Sequence, residues 1–223
     1  MRIRAASLLA AVPTTNQPLA DRERFERAAA EFTAAQRLNT DRLESRSALG
    51  SFLAKRGRPV EAESEYKAAL GLSPQYSPAA INLADLYRSL GRDSDSESVL
   101  RTAVASAPRD AGLHHSFGLA LVRSKRSDEA LDELRKATEL DPGQARYAYV
   151  YAVALHSGGH ANEALTALRE NLDRHQNDLN RESGDINSAL QYAEKLHQIL
   201  PDAQDLTRLI QDLRRQTSNP IAQ

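Results

Sequence analysis

Pro74, Pro108 and Pro142 stand 34 residues apart, within LSPQY, SAPRD and LDPGQ. Nothing else in the chain constrains its fold as tightly. A fixed period of roughly 20 to 50 residues marks a protein built from small supersecondary units, each too short to bury its own apolar face, which gain a core only by stacking. Sliding the sequence on itself by one period aligns large residues with large and small with small. Leu49, Leu83, Phe117 and Tyr151 form one column, Gly50, Ala84, Gly118 and Ala152 the next, and Leu53, Tyr87, Leu121 and Leu155 a third. Further columns hold Ala62, Ser96, Ala130 and Ala164; Tyr66, Leu100, Leu134 and Leu168; and Ala69, Ala103 and Ala137.

Each period reads as two helices. The stretch ARYAYVYAVALHSGGH tests this, because Tyr147, Tyr149 and Tyr151 alternate as they would along a strand. The alanine content, the Gly158-Gly159 stop and the column register decide for a helix. On a helix Tyr147 and Tyr151 share a face and Tyr149 lies about 200 degrees away; column identity places Tyr151 in the core. Gly50 and Gly118 let paired helices approach closely, and Leu53 or Tyr87 one turn later fills the wider gap. Gly57, Gly91 and Gly159 fall where the turn needs a permissive backbone, whereas Lys125 takes that place in the third unit, whose turn is expected to be strained or differently shaped. Ser77 before Pro78, then Ser127 and Asp185, read as N-caps.

Four consecutive units with these columns resemble the tetratricopeptide repeat, a 34-residue helix-turn-helix. The resemblance implies an all-α, right-handed superhelical solenoid. Residues 1–20 then form an N-terminal helix and loop left from a preceding repeat, and 21–42 a half repeat with only its second helix, burying Ala28, Phe32 and Ala35. Residues 43–176 form four full repeats and 177–201 a truncated fifth, since Gln176 stands in place of a fourth proline. Residues 202–223 form a capping helix and tail, with Leu206, Leu209, Ile210 and Leu213 apolar. Loss of most of the fifth unit's first helix is expected to leave Leu165, Leu168 and Leu172 loosely packed or covered by a second copy, the basis for expecting self-association.

Composition and motifs narrow the function. With 29 Lys and Arg against 30 Asp and Glu, the net charge of -1 lacks the basic footprint of a nucleic-acid or anionic-membrane binder. The eleven basic against six acidic residues of positions 1–58 are dispersed over helix faces. Absence of cysteine excludes disulfides, thiolate metal sites, cysteine nucleophiles and haem held through C-x-x-C-H. No apolar run approaches the roughly 18 residues of a membrane span. Neither a phosphate-binding glycine loop nor G-x-S-x-G is present. His156 and His160 have metal-like spacing, but Gly158-Gly159 breaks the helix between them, and the adjacent His114 and His115 point to different sides. The expectation is a protein without catalysis, cofactor or metal that binds a protein or peptide.

In a stacked-repeat solenoid the first helices line a concave wall that takes extended peptides or partner helices. The residues expected there are Asn82, Asp85 and Arg88, then His115, Leu119 and Arg123, then Arg146, Tyr149, Val153 and His156, with Ser47, Ser51 and Lys55 upstream. Tyr149 with Arg123 and Arg146 makes the favoured contact patch, since aromatic and arginine side chains dominate interface hot spots. The alternative is that Tyr149 only covers neighbouring helix surface. A Lys/Asn carboxylate clamp is excluded: of its five places only Asn82 matches, the others being Ser47, Ser51, Gly112 and Ser116.

The strings RIRAASLLA, AAQRLNTDR, INLADLYRSLGR, DAGLHHSFGL, ARYAYVYAVALHS and SALQYAEKL are similar to the C-terminal repeat region of bacterial proteins that join multihaem cytochrome c domains to helical repeats. That resemblance implies an exported, periplasmic, electron-transfer setting, although MRIRAASLLAAVP has only the basic start and short apolar run of a signal peptide, without an A-x-A exit. Three readings follow: a peptide- or protein-binding scaffold, a docking module for a multihaem cytochrome domain outside this chain, and an oligomeric organiser.

Overall fold

The computed structural model describes residues 19–177, 190–191, 193–195, 197–198 and 204–218, in two compact units that meet in sequence between Pro108 and Arg109. Every regular element among these residues is helical. The first unit holds α1 (Leu19–Arg37), α2 (Leu43–Lys55), α3 (Pro59–Leu72), α4 (Ser77–Ser89) and α5 (Asp93–Ser106). The second holds α6 (Ala111–Arg123), α7 (Ser127–Leu140), α8 (Ala145–Ser157), α9 (Ala161–Asn177) and α10 (Gln204–Ser218), with the described residues between 190 and 198 also helical.

One turn is used four times. After α2 the N–H of Arg58 donates to the Leu53 carbonyl at 2.9 Å and that of Gly57 to Ala54 at 3.0 Å, with Gly57 at φ +69°. This is the Schellman closure, which satisfies the helix's last carbonyls and needs a left-handed residue. It recurs at Gly91 (φ +71°), Lys125 (+58°) and Gly159 (+87°) with the equivalent bonds. Lys125 therefore keeps the turn's shape; the strain is carried by one lysine in a conformation that costs a side-chain-bearing residue about 1–2 kcal/mol.

The residue after each turn begins the next helix in a way that serine-based capping does not anticipate. α4 and α7 start at Ser77 and Ser127 themselves, with Tyr76 and Arg126 in the cap positions and no side-chain cap bond at either. The serines are one residue too late to reach the first free N–H groups. Instead Arg58, Arg92, Arg126 and His160 each pair with an acid three residues on, Glu61, Asp95, Glu129 and Glu163. An acid in the first turn is favourable against the helix dipole, and the preceding arginine, or the His160 ring in the fourth case, holds it there. Asp110 is a side-chain cap that was not among the expected ones: its Oδ1 accepts from the Leu113 N–H at 2.9 Å.

In the first and third hairpins close approach is fixed by glycine, and in the second and fourth by Ala84 and Ala152. A Cβ on Gly50 would lie 2.7 Å from Cε1 of Tyr66, and one on Gly118 2.7 Å from Cγ of Leu134. Both exceed ordinary packing, so the columns that alternate small and large residues are a steric requirement. In the first unit Leu49, Leu53, Ala62, Tyr66, Leu83 and Tyr87 form one cluster. α1 adds Phe25, Ala29 and Phe32 against Phe52, the rings of Phe32 and Phe52 lying 4.8 Å apart. Ala28 and Ala35 flank that face, half-buried.

Two expectations are corrected in the second unit. Leu168 is buried and Leu165 half-buried, in one cluster with Ala193, Leu206, Ile210 and Leu213. The C-terminal helices thus cover the patch left by the shortened repeat, and the argument for self-association through it lapses. Tyr151, expected in the core, is only half-buried; Ala145, Ala148, Ala152 and Leu155 are the buried residues of α8. The phenol is too long for the space that Leu49 and Leu83 fill in the first unit, and it reaches the surface between α7 and α9. The Asp185 cap, residues 1–18 and the side chains of Leu172 and Leu209 lie outside the described residues.

Candidate functional site

The predicted contact residues fall on two faces, one in each unit. In the first, Asn82 on α4 is half-buried and donates from Nδ2 toward Ser51 Oγ at 3.4 Å and Ser47 Oγ at 3.5 Å on α2. Ser51 Oγ also accepts from the Tyr66 hydroxyl at 3.0 Å. This polar tie joins α2, α3 and α4, so Asn82 is held by the fold and offers little to a partner. Asp85 and Arg88, one turn on, are exposed and pair at 3.4 Å. Such an exposed pair contributes at most about 1 kcal/mol and opens readily for another ligand.

In the second unit the predicted set separates into three layers. His115 is buried, 4% exposed, with its ring centroid 4.7 Å from that of Tyr147 and neither ring nitrogen hydrogen-bonded. Burial, and secondarily the charge of Arg146, lower its pKa from 6.5 to about 4. It is therefore a neutral packing residue and not an accessible contact, a correction to its expected place on the wall. The reason is local: α8 presents Tyr147 against α6, and that ring covers the imidazole. Adjacent His114 is also buried, with Nδ1 2.6 Å from Glu133 Oε2.

Leu119, Tyr149, Val153 and His156 are half-buried, and Tyr149 and Val153 pack against the cluster around Ala152 and Leu155. Tyr149 thus both covers neighbouring helix surface and presents an edge to solvent. His156 keeps a buried Nδ1 without a hydrogen bond. Arg123 and Arg146 are exposed. Spacing puts Arg146, Tyr149, Val153 and His156 on one stripe of α8, with Leu119 and Arg123 one turn apart on α6. The stripe is apolar along its middle, with the Arg146 guanidinium at its head and that of Arg123 on the neighbouring helix.

Nothing in this arrangement joins a nucleophile to a base or sets an oxyanion site beside one. Among the described residues no three His, Asp or Glu side chains converge as metal ligands, and no helix is long and apolar enough to cross a membrane. A cleft lies elsewhere in the second unit, between α7 and α9, with a volume of about 380 Å³ and Tyr151 in its wall. An ionic hub at the surface of the first unit also escaped sequence reading. Glu63 on α3 binds Lys67 at 2.7 Å, the Tyr87 hydroxyl at 2.9 Å and Arg92 at 2.9 Å. The Lys67 bond, with those from Tyr87 and Arg92, holds its carboxyl at about 2 against opposing burial.

Comparison with known proteins places this geometry. One tetratricopeptide repeat model matches residues 19–77 and 115–178, and another matches 53–116. No curated protein sequence matches the chain. Among solved structures, the thermophilic repeat protein TTC0263 from Thermus thermophilus is 22% identical, with a TM-score of 0.57 over 87% of this chain and 98% of that one. MamA is 18% identical, with a TM-score of 0.56 over 74% of this chain and 99% of that one. YrrB, a repeat protein with an unusual peptide-binding site, is 24% identical, with a TM-score of 0.50 over 77% and 84%. Both matched models describe the repeat alone, so the resemblance to multihaem cytochrome proteins gains no support from them. Repeat-wide matches, four identical turns and the glycine-dependent hairpins lead to one assignment: the chain belongs to the tetratricopeptide repeat family.

Proposed function

We propose that this protein is a non-catalytic scaffold that holds a protein or peptide on the outward faces of its first helices, chiefly on α6 and α8. The observation that carries the reading is the half-exposed stripe Tyr149, Val153 and His156 with Arg146 at its head and Leu119 and Arg123 on the neighbouring helix. An apolar centre with a charged rim is how binding patches are built, and aromatic and arginine side chains supply most of their energy. The two guanidinium groups favour an acidic segment. Asp85 and Arg88 on α4 make a secondary contact in the first unit. Peptide binding by the structurally similar YrrB supports the class of partner.

The same reading takes residues 21–42 as a half repeat, 43–176 as four full repeats, 177–201 as a truncated fifth and 202–223 as a cap. Docking onto a multihaem cytochrome domain in the periplasm remains the alternative that the string resemblance implies. Self-assembly through the shortened repeat has lost its surface. The test is affinity capture from the source cells, then calorimetric titration of the identified partner. Arg146→Ala and Tyr149→Ala should each weaken binding by about 2 kcal/mol while the helical spectrum is kept. Unchanged affinity in both variants would refute the patch.

A further inference from the structure

His115 on α6 is buried with both ring nitrogens unpaired. Tyr147 from α8 covers it, the two rings tilted with centroids 4.7 Å apart. That covering ring is itself half-buried, and its hydroxyl makes no hydrogen bond among the described residues. Buried polar groups are nearly always paired, so two orphaned nitrogens beneath a ring held by contact alone need a cause. Packing does not supply one, because an aromatic ring without nitrogens would fill the space and leave no donor or acceptor unmet.

The surroundings carry positive charge that lacks an answer. Arg146 is exposed and makes no ion pair or hydrogen bond with its side chain among the described residues. At the head of α6, Asp110 accepts from the Leu113 N–H at 2.9 Å. One period on, at the head of α8, the same position holds Gln144, which makes no side-chain cap bond, and the first turn contains no acid. The positive end of α8 therefore has no anion of its own where one is favoured. Burial, then Asp141 and Asp110, raise the pKa of the Tyr147 phenol against the opposing charge of Arg146. At the imidazole the charge that adds to burial is that of Arg146.

We infer that Tyr147 is a lid over a carboxylate subsite, and that an acidic side chain of a bound peptide displaces the ring to meet His115 and Arg146. With the ring closed, His115 is only a filler; with it open, the imidazole donates an N–H and the guanidinium supplies the counter-charge. A change of side-chain rotamer moves the phenol clear without moving α8. The inference rests on the scaffold reading, since the peptide is the one held on α6 and α8, and it adds the group that selects an acidic residue.

The probe is a pentapeptide Ser-Leu-Glu-Leu-Ser blocked at both ends, with glutamine in place of glutamate as the neutral isostere, titrated into the full chain and followed by NMR. The glutamate peptide should bind about ten-fold more tightly than the glutamine peptide and shift both the imidazole nitrogen signals of His115 and the ring signals of Tyr147. His115→Phe, which keeps the contact with Tyr147, should weaken the glutamate peptide by about five-fold or more and leave the glutamine peptide unchanged. Tyr147→Ala should tighten the glutamate peptide by about three-fold, because no lid then has to be displaced, and adding His115→Phe should cancel that gain. Unmoved His115 signals in the wild type, or an unchanged preference for glutamate in His115→Phe, would overturn the inference. So would equally tight binding of the glutamine peptide with its C-terminus left free, which would assign the site to a chain end. If Tyr149→Ala weakens both peptides while His115→Phe weakens neither, the stripe stands and the lid falls; if neither peptide binds the wild type, both fall.

Discussion

At the crossing of α2 and α3, Gly50 lies against the ring of Tyr66; at the equivalent crossing of α6 and α7, Gly118 lies against Leu134. Both glycines answer the same demand for close backbones, but the opposing side chains differ in how they can yield. The Tyr66 ring is rigid, buried, and tied at its hydroxyl to Ser51 at 3.0 Å. Leu134 is as deeply buried but has rotamers to change. One repeat column therefore tolerates error less in the first unit than in the second.

Alanine at each glycine makes the contrast measurable. Gly50→Ala sets a methyl 2.7, 2.9 and 3.1 Å from three ring atoms, and is expected to cost about 3 kcal/mol, the upper end for overpacking. Gly118→Ala meets Leu134 at 2.7 and 2.8 Å and the Ala130 carbonyl at 3.3 Å, and should cost about 2 kcal/mol. Urea unfolding gives the size, and amide exchange assigns the loss to one unit, because stacked repeats need not unfold together. Adding Tyr66→Leu to Gly50→Ala should recover part of the loss. Equal costs would mean that ring rigidity is irrelevant.

A second column sharpens the comparison. Ser47 and His115 stand two periods apart and are equally buried, at 5% and 4% exposure. Ser47 sits within reach of the Asn82 amide, whereas both nitrogens of His115 lack partners. Burial holds the imidazole neutral, with a pKa near 4 in place of 6.5. The unfolded chain consequently binds the proton first as pH falls. The stability due to neutral His115 is complete above pH 6.5 and is lost progressively between 6.5 and 4. His115→Phe keeps the ring contact with Tyr147 and removes the titration. The gap in stability between variant and wild type should grow by about 1–2 kcal/mol from about pH 7 to about pH 4.5, measured by urea midpoints across that range. A constant gap would show that the imidazole is solvated in solution.

These contrasts also define what the sequence made legible. The proline period and the columns foretold the helical hairpins, the glycine approaches and all four turns, because a repeat averages its own noise. They failed where a single copy departs from the column. Tyr151 was assigned by its neighbours Leu49, Leu83 and Phe117, yet a hydroxyl and two smaller groove residues bring it to the surface. His115 was assigned to an open wall, yet Tyr147 from the next helix covers it. Thr138 and Ala167 in the cleft wall, in place of Leu70 and Val99, were visible in the aligned repeats; their signal was a loss of volume, which periodicity does not register. Likewise Arg58, Arg92, Arg126 and His160 with their paired acids recur at the same period, but an ion pair across the first turn leaves no single-residue capping signature. Coverage of Leu165 and Leu168 by the C-terminal helices involves contacts outside the repeat, which no internal alignment reaches.

Lys125 gives the smallest expected effect and the cleanest one. The other three turns place glycine at this left-handed position, and the lysine turn makes the same two hydrogen bonds, Arg126 to Leu121 and Lys125 to Val122, each at 3.0 Å. Contacts are thus matched, and only backbone conformational preference differs. Lys125→Gly should stabilise the second unit by about 0.5–1 kcal/mol, the relief of left-handed strain less the extra entropy of glycine in the unfolded chain. The reverse change at Gly91 should cost a similar amount, since a Cβ there meets no atom within 4 Å and steric clash adds nothing. For a chain of this size the melting shift is about 1–4 °C in each direction. If Lys125→Gly lowers the melting temperature, the lysine side chain must contribute more than its backbone costs, and the turns of the two units are not energetically equivalent.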